Sequence, residues 1–235
     1  MAPLPVPFFT EIQYQTFTDV DTYMNSLLLP ADAGLDSALA ANAAAALDEI
    51  DVAPNQGKLL YLLAKMNNCR RILEVGTLGG YSAIWLAKAL PDSPSSKVVT
   101  LEIDPLHADV AHKNVENAGL GHVVEVKLGL AIETLEKMGK EGTEAFDMVF
   151  IDADKQNNPG YLKWALEFSH VGTVIVVDNV VRRGRLVDLE NLDPAIVGVR
   201  TLFEMMEKEE RIECTAVQTL GSKGWDGFAV GLVVA

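Results

Sequence analysis

Arg71-Ile72-Leu73-Glu74-Val75-Gly76-Thr77-Leu78-Gly79-Gly80-Tyr81-Ser82 reads as a strand, a glycine turn and the start of a helix. The apolar run is rich in Ile, Leu and Val, as a strand buried on both faces requires. Four more such runs follow at Lys97–Ile103, Val123–Lys127, Phe146–Ile151 and Thr173–Val177, with helical segments between them. Strands alternating with helices make parallel crossovers, so the pattern predicts an α/β, Rossmann-like, doubly wound and mostly parallel sheet. The helix after Ile103 carries clear punctuation, with Asp104 to cap it, Pro105 in its first turn and Gly119 to end it. Leu106, Val110 and Val115 supply its apolar stripe.

Outside this core the pattern changes. Residues 1–55 read as a helical N-terminal cover, with segments near Glu11–Leu28 and Ala33–Ile50, then a helix at Gln56–Asn67. At the other end, Arg211–Thr219 and Phe228–Val234 read as two strands joined by the loop Leu220–Gly227. That loop is too short for a helical crossover, so the strands should pair antiparallel at the sheet edge. The expectation is one domain over residues 1–235, with its core at 70–235 and a seven-stranded sheet ending in an antiparallel hairpin.

Bulk composition narrows the function. Thirty-three acidic residues against 19 basic give a net charge of −14. A surface that negative repels phosphate backbones and anionic lipid, which argues against nucleic-acid and membrane partners. Met1-Ala2-Pro3-Leu4-Pro5 lacks the basic start and apolar stretch of a signal peptide. The longest apolar run, Val171–Val177, is broken by Gly172 and Thr173 and falls far short of the roughly 20 residues that span a bilayer. The reading is a cytoplasmic protein acting on small molecules. Cys69 and Cys214 read as buried reduced thiols, and the four histidines, in no ligand spacing, as surface residues.

Ligands on such sheets bind beyond the carboxyl ends of the strands, where strand order reverses. The turn after Val75 lacks the dinucleotide pattern, because Leu78 and Tyr81 stand where glycines would be needed. Glu74 lies at the loop entrance. Glu102 ends the second run, where it can accept from both hydroxyls of a ribose. Two acids and no phosphate cradle suit a cofactor with a ribose and a cationic amino acid end, which is S-adenosylmethionine.

A second constellation sits on the next two strand ends, Phe150-Ile151-Asp152-Ala153-Asp154-Lys155 and Val177-Asp178-Asn179. Adjacent parallel strands lie about 4.8 Å apart, so if these two strands are neighbours, Asp152 and Asp178 crowd each other. Such crowding is relieved by a proton or a cation. With the amide oxygen of Asn179, the donors are hard oxygens, suited to Mg²⁺, or to Mn²⁺ or Ca²⁺. Water positions left open on such an ion fit the two oxygens of a vicinal diol. Lys155, one turn on, is placed to take a proton, since burial and a neighbouring positive charge both favour the neutral amine.

These motifs, with Leu101-Glu102-Ile103-Asp104 and Gly129-Leu130-Ala131, resemble the cation-dependent class I O-methyltransferases of the caffeoyl-CoA and catechol type. The resemblance spans about Val52 to Val234. It implies cofactor contacts at Val52, Glu74, Gly76, Thr77, Ser82, Glu102, Ala131, Asp152 and Tyr161. It also implies metal ligands at Asp152, Asp178 and Asn179, catalytic roles for Lys155 and Asp152, and a homodimer. The chain departs from family members in two places. Asp154 replaces the tryptophan of animal catechol enzymes, and Val180–Pro194 is shorter than the plant substrate segment. Arg182, Arg183 and Arg185 are candidates to meet an acidic substrate or a CoA phosphate. Trp225 and Asp226, read as hairpin-loop residues, are candidates for a substrate wall or a dimer contact. Two other readings stand beside the methyltransferase. One is a nicotinamide dehydrogenase, opposed by Leu78 and Tyr81; the other is a non-catalytic dimeric binding module, opposed by Asp152, Lys155 and Asp178.

Overall fold

The computed structural model describes residues 9–235. The stretch Met1–Pro5 lies outside the described residues.

Five parallel strands form the centre: β1 (Arg71–Val75), β2 (Lys97–Glu102), β3 (Val124–Leu128), β4 (Met148–Ile151) and β5 (Val174–Asp178). β6 (Ile212–Gly221) and β7 (Gly224–Val233) complete the sheet in the order β3-β2-β1-β4-β5-β7-β6. β5 and β7 run antiparallel, as do β6 and β7. The strand order reverses between β1 and β4, as a doubly wound sheet requires.

Burial on both faces explains the nearly uniform apolar runs. Ile72, Val98, Met148, Phe150 and Val176 pack on one side, against α2 (Ala33–Ala44), α3 (Pro54–Met66), α4 (Tyr81–Ala89) and α5 (Pro105–Asn117). Leu73, Val99, Val149, Ile151 and Ile175 pack on the other, with α6 (Ala131–Lys140), α7 (Asn158–Glu167) and α8 (Pro194–Lys208). Each such side chain contributes about 1.5–3 kcal/mol when taken out of water. α1 (Glu11–Leu28) opens on a capping box made by Thr10 and Gln13. It reaches the hairpin, where Asp21 Oδ2 accepts from the Ser222 amide at 2.7 Å.

α5 forms as its punctuation predicts. Asp104 accepts from the amides of Leu106 and His107, and Gly119 takes a φ of +74° beyond its end. Its buried stripe differs by one member, since Leu106 is exposed while Val110 and Val115 are buried with Ala108 and Ala111.

Two elements depart from the expectation more seriously. The helix expected over Ala33–Ile50 stops at Ala44. Alanine propensity would carry it on, but Ala46 turns to a φ of +54° and Leu47 folds back into the core. The exposed β-hairpin loop expected over Leu220–Gly227 does not exist. β6 and β7 pair up to Gly221 and Gly224, leaving only Ser222 and Lys223 to turn, with Gly224 at φ +91°. Trp225 and Asp226 therefore belong to β7. Cys69 is buried as expected, but Cys214, on the outermost strand, is exposed.

Candidate active site

The carboxyl ends of the parallel strands open on a cavity of about 1050 Å³. Val52, Gly76, Thr77, Ser82, Glu102 and Ala131 line it on the side of β1 and β2. Asp152, Lys155, Tyr161 and Asn179 line it on the side of β4 and β5. Two residues singled out by sequence, Glu74 and Asp178, stand behind this wall.

The glycine turn is shaped by close approach. Gly76 has a φ of +100°, and a Cβ there would lie 2.5 Å from the Asp152 carbonyl oxygen. Only glycine lets the β1 and β4 loops come this near. Glu102 ties the loops together. Its Oε2 accepts from the amides of Thr77 (3.2 Å) and Leu78 (2.8 Å). Its Oε1 accepts from Ile103 (2.8 Å) and Asp104 (2.9 Å). The carboxylate thus fixes the loop as well as facing the cavity.

Glu74 is fully buried beneath the turn, and its Oε2 accepts from the Thr100 hydroxyl at 2.6 Å. Oε1 has no hydrogen-bond partner. Burial pushes the Glu74 pKa up to about 7; the nearby Ser82 and Thr100 hydroxyls work the other way, and the charges of Asp152 and Glu102 add to the rise. Ser82 lies between this acid and the cavity side of the loop.

β4 and β5 are adjacent, with Ile151 opposite Val177. The next residue on each strand is Asp152 or Asp178, so the two carboxylates meet at the sheet edge. Burial raises the pKa of Asp178, the charge of Asp152 raises it further, and Lys155 opposes both. Lys155 is itself buried, with Nζ 2.7 Å from Asp152 Oδ1. Asp178 Oδ1 accepts from the Asn179 amide and Oδ2 from Gln56 Nε2, each at 2.7 Å. Asn179 adopts a φ of +56°, which bends the chain sharply at this edge. Two crowded carboxylates beside an amide are a donor set that a hard divalent cation fits. Among the described residues no group of three or more His, Cys, Asp or Glu is arranged to hold a metal; the set here is two carboxylates and an amide.

The sequence pattern does not mark several residues that stand on or behind this wall. Gln56 reads from sequence only as the start of a helix, yet it stands behind the wall and donates to Asp178 Oδ2. His107 reads from sequence as a surface residue, yet it lines the cavity, with Nδ1 3.7 Å from Glu102 Oε1. Asp51 also lines the cavity, and it accepts from Asn42 Nδ2 at 2.9 Å. Asp154, left without a role, accepts from the Tyr161 hydroxyl at 2.5 Å and from Asn157 Nδ2 at 2.7 Å. Burial, and then that bond to Asp154, raise the Tyr161 pKa. Trp225 and Asp226 form no loop wall; Asp226 Oδ1 instead accepts from the amides of Val181 and Arg182.

Comparison with known proteins agrees with this geometry. The O-methyltransferase family model matches residues 33–223. A catechol O-methyltransferase of Mycobacterium tuberculosis is 47% identical over 92% of this chain and 95% of its own length. One from Niastella koreensis is 44% identical over 93% of this chain and 98% of its own. Among solved structures, a Bacillus cereus O-methyltransferase in complex with S-adenosylhomocysteine superposes with a TM-score of 0.91 at 50% identity, covering 94% of this chain and 99% of that one. A Streptomyces achromogenes O-methyltransferase involved in tomaymycin synthesis, in complex with S-adenosylmethionine, gives 0.91 at 42% identity, covering 97% and 100%. With the glycine turn, the acid that ends β2 and the strand-edge cavity in place, the chain belongs to the S-adenosylmethionine-dependent O-methyltransferase family.

Proposed function

We propose that the chain methylates one hydroxyl of a vicinal diphenol (a catechol, flavonoid or hydroxycinnamoyl compound) beside a divalent cation, with Mg²⁺ preferred over Mn²⁺ or Ca²⁺. The observation that carries this reading is the meeting of Asp152 and Asp178 on paired strand ends, with Lys155 at 2.7 Å from Asp152. The names of the two bacterial relatives, both catechol O-methyltransferases, point the same way.

Asp152, Asp178 and Asn179 would hold the cation, which when bound supplies a fixed double charge that orients two neighbouring oxygens and favours loss of a phenol proton. S-adenosylmethionine supplies an electrophilic methyl carbon; an oxygen–carbon bond to the phenol forms as the sulfur–carbon bond breaks. Lys155 accepts the phenol proton as general base. To do so Lys155 must first leave Asp152 and give up a proton to solvent, and a cation held by Asp152 would favour both by taking over that carboxylate. Gln56 and the Asn179 amide hold Asp178 in place through both of its oxygens. Val52, Gly76, Thr77, Ser82, Glu102, Ala131, Asp152 and Tyr161 would contact the cofactor, with Glu74 acting from beneath through Ser82. No covalent enzyme intermediate is needed, so positioning and electrostatics carry the rate.

The proposal includes one domain over the whole chain, a cytoplasmic location and a homodimer. No helix of the described residues is long and apolar enough to cross a membrane. The net charge of −14 disfavours nucleic acid and anionic lipid as partners. Support for the dimer comes from β6, an edge strand that leaves Val217 and Leu220 exposed, and from Tyr23, Leu27 and Leu28 exposed on α1. A mass in solution near one 25.5 kDa chain would refute the dimer.

Methyl transfer to a panel of diphenols, with and without chelator, tests the central claim. Activity on the panel should vanish with chelator and return with Mg²⁺. Transfer that persists after complete chelation would remove the cation from the mechanism.

A further inference from the structure

The segment after Asn179 carries three arginines, and their surroundings differ. Arg185 Nη1 lies 3.5 Å from Asp193 Oδ2. Arg183 is exposed. Arg182 lines the cavity beside Asn179. Among the described residues no carboxylate stands within ion-pair distance of Arg182, whereas Lys155, the other Lys or Arg on this wall, is matched by Asp152. The Arg182 Nε is buried and has no acceptor. An unmatched donor of this kind is costly unless a ligand or water meets the group.

The backbone that places it is also unusual. Arg182 and Arg183 both adopt a φ of +54°, a conformation that side-chain-bearing residues rarely take. Three contacts impose it. Asp226 Oδ1 accepts from the amides of Val181 and Arg182, each at 3.0 Å. Gly184, at φ +75°, lies so close to the Trp225 ring that a Cβ would come within 2.7 Å of it. β7 therefore clamps the turn through two of its residues. Strain held in this way marks a position whose side chain is being aimed.

We infer that Arg182 selects the methyl acceptor, by pairing with an anionic group carried on the diphenol. This rests on the diphenol reading above. A chain of net charge −14, with Asp51, Glu133 and Asp154 on the same cavity wall, otherwise repels an anionic acceptor. A planar guanidinium with free donors recognises a carboxylate or a phosphate with directional, charge-assisted bonds. The anion is either a carboxylate on or near the ring, or a phosphate of a thioester.

The test compares 3,4-dihydroxybenzoate, its methyl ester and caffeoyl-CoA as acceptors for the wild type, Arg182→Gln, Arg182→Lys and Arg183→Gln. Arg182→Gln should lower kcat/KM for the anionic acceptor by roughly tenfold to a hundredfold, the range for a charge-assisted bond, mostly through KM. The ester should change by less than about threefold, Arg182→Lys should recover part of the loss, and Arg183→Gln should behave as wild type. Loss confined to the benzoate identifies a ring carboxylate; loss confined to the thioester identifies a phosphate. Equal loss on acid and ester would make Arg182 structural and overturn the inference. A second measurement needs no methyl transfer: binding of cinnamate and of methyl cinnamate to the protein–S-adenosylhomocysteine complex without added cation. Cinnamate should bind the wild type at least about tenfold better than Arg182→Gln. Equal binding to both, with the thioester arm unchanged, would also overturn it. A wild type that methylates no diphenol yet binds cinnamate through Arg182 would remove the diphenol reading and leave the anion site standing.

Discussion

The two ends of the sheet treat polar groups in opposite ways. At the amino ends of the strands, Asp147 Oδ2 accepts from the amides of Arg70 and Arg71 at 2.7 and 2.8 Å. Asn67 Nδ2 donates to the carbonyls of Asp147 and Gly172, and the Thr173 hydroxyl to that of Phe146. These donors meet acceptors there. At the carboxyl ends, Asp152 and Asp178 crowd together, Glu74 Oε1 lacks a partner, and Leu78, Asn179 and Arg182 take left-handed conformations. The first end is satisfied; the second is left poised for something absent from the chain itself. Polar residues at the two ends should accordingly fail differently when removed, one set in stability and the other in catalysis.

The largest effect expected is at the carboxyl end. Lys155→Ala should lower kcat by roughly a hundredfold to ten-thousandfold, the usual contribution of a general base. The dissociation constant for S-adenosylhomocysteine should stay within about threefold, because the proposed task of the lysine is the phenol proton. Steady-state kinetics with calorimetric titration of the product cofactor separates the two. Equal losses in both would mean that the Lys155–Asp152 pair is architecture, and the contrast between the two ends would collapse.

A smaller effect sharpens the same contrast. Gln56 touches Asp178 but not the cavity, so it supports a proposed ligand without being one. Gln56→Leu should weaken activation by Mg²⁺ about tenfold to a hundredfold, the usual cost of removing a support behind a ligand. Direct titration with Mn²⁺, followed by paramagnetic resonance, should show the same loss without reference to turnover. An unchanged titration would leave Asp178 self-sufficient.

The same division explains what could be read from sequence. The strands, their hairpin and the placing of Asp152 and Asp178 at the sheet edge follow from short-range rules, because an apolar strand ending in an acid places that acid at the edge; that the two acids meet depends on β4 and β5 being neighbours. Glu102 was found for the same reason. Gln56, His107 and Asp51 are not legible in the sequence because their positions depend on where α3, α5 and the turn after α2 pack, which is tertiary information. The early stop of α2 is of this kind too, since burial of Leu47 outweighs the propensity of an alanine run. A loop over Leu220–Gly227 is too long and takes Trp225 and Asp226 off the strand that holds them. Gly221 and Gly224 bracket a two-residue turn, and as turn boundaries they put both residues on β7.

The smallest effect expected lies at the satisfied end and has a definite sign with pH. His170 Nδ1 faces the Val171 carbonyl at 2.8 Å and Nε2 faces Asp147 Oδ1 at 3.0 Å. Both partners accept, so both ring nitrogens must donate, which only the charged imidazole can do. The Val171 bond, then the Asp147 bond, hold the His170 pKa above its ordinary 6.5. For Asp147, burial opposes ionisation, but the Arg70 and Arg71 amides and His170 outweigh it, and its pKa falls below 3.8. A raised histidine pKa gives stability that is whole below 6.5 and fades as pH climbs through the folded value. A lowered carboxylate pKa gives stability that is whole above 3.8 and fades as pH drops through its folded value. The pair should therefore act fully between those limits. His170→Gln should lower unfolding free energy there by less than about 1 kcal/mol, since the ring is half exposed and screened. The deficit should shrink toward pH 9, while turnover at saturating substrate stays unchanged. Denaturant midpoints for both proteins across this range check it, and a deficit that grows with pH would show that the neutral ring is the form the fold prefers.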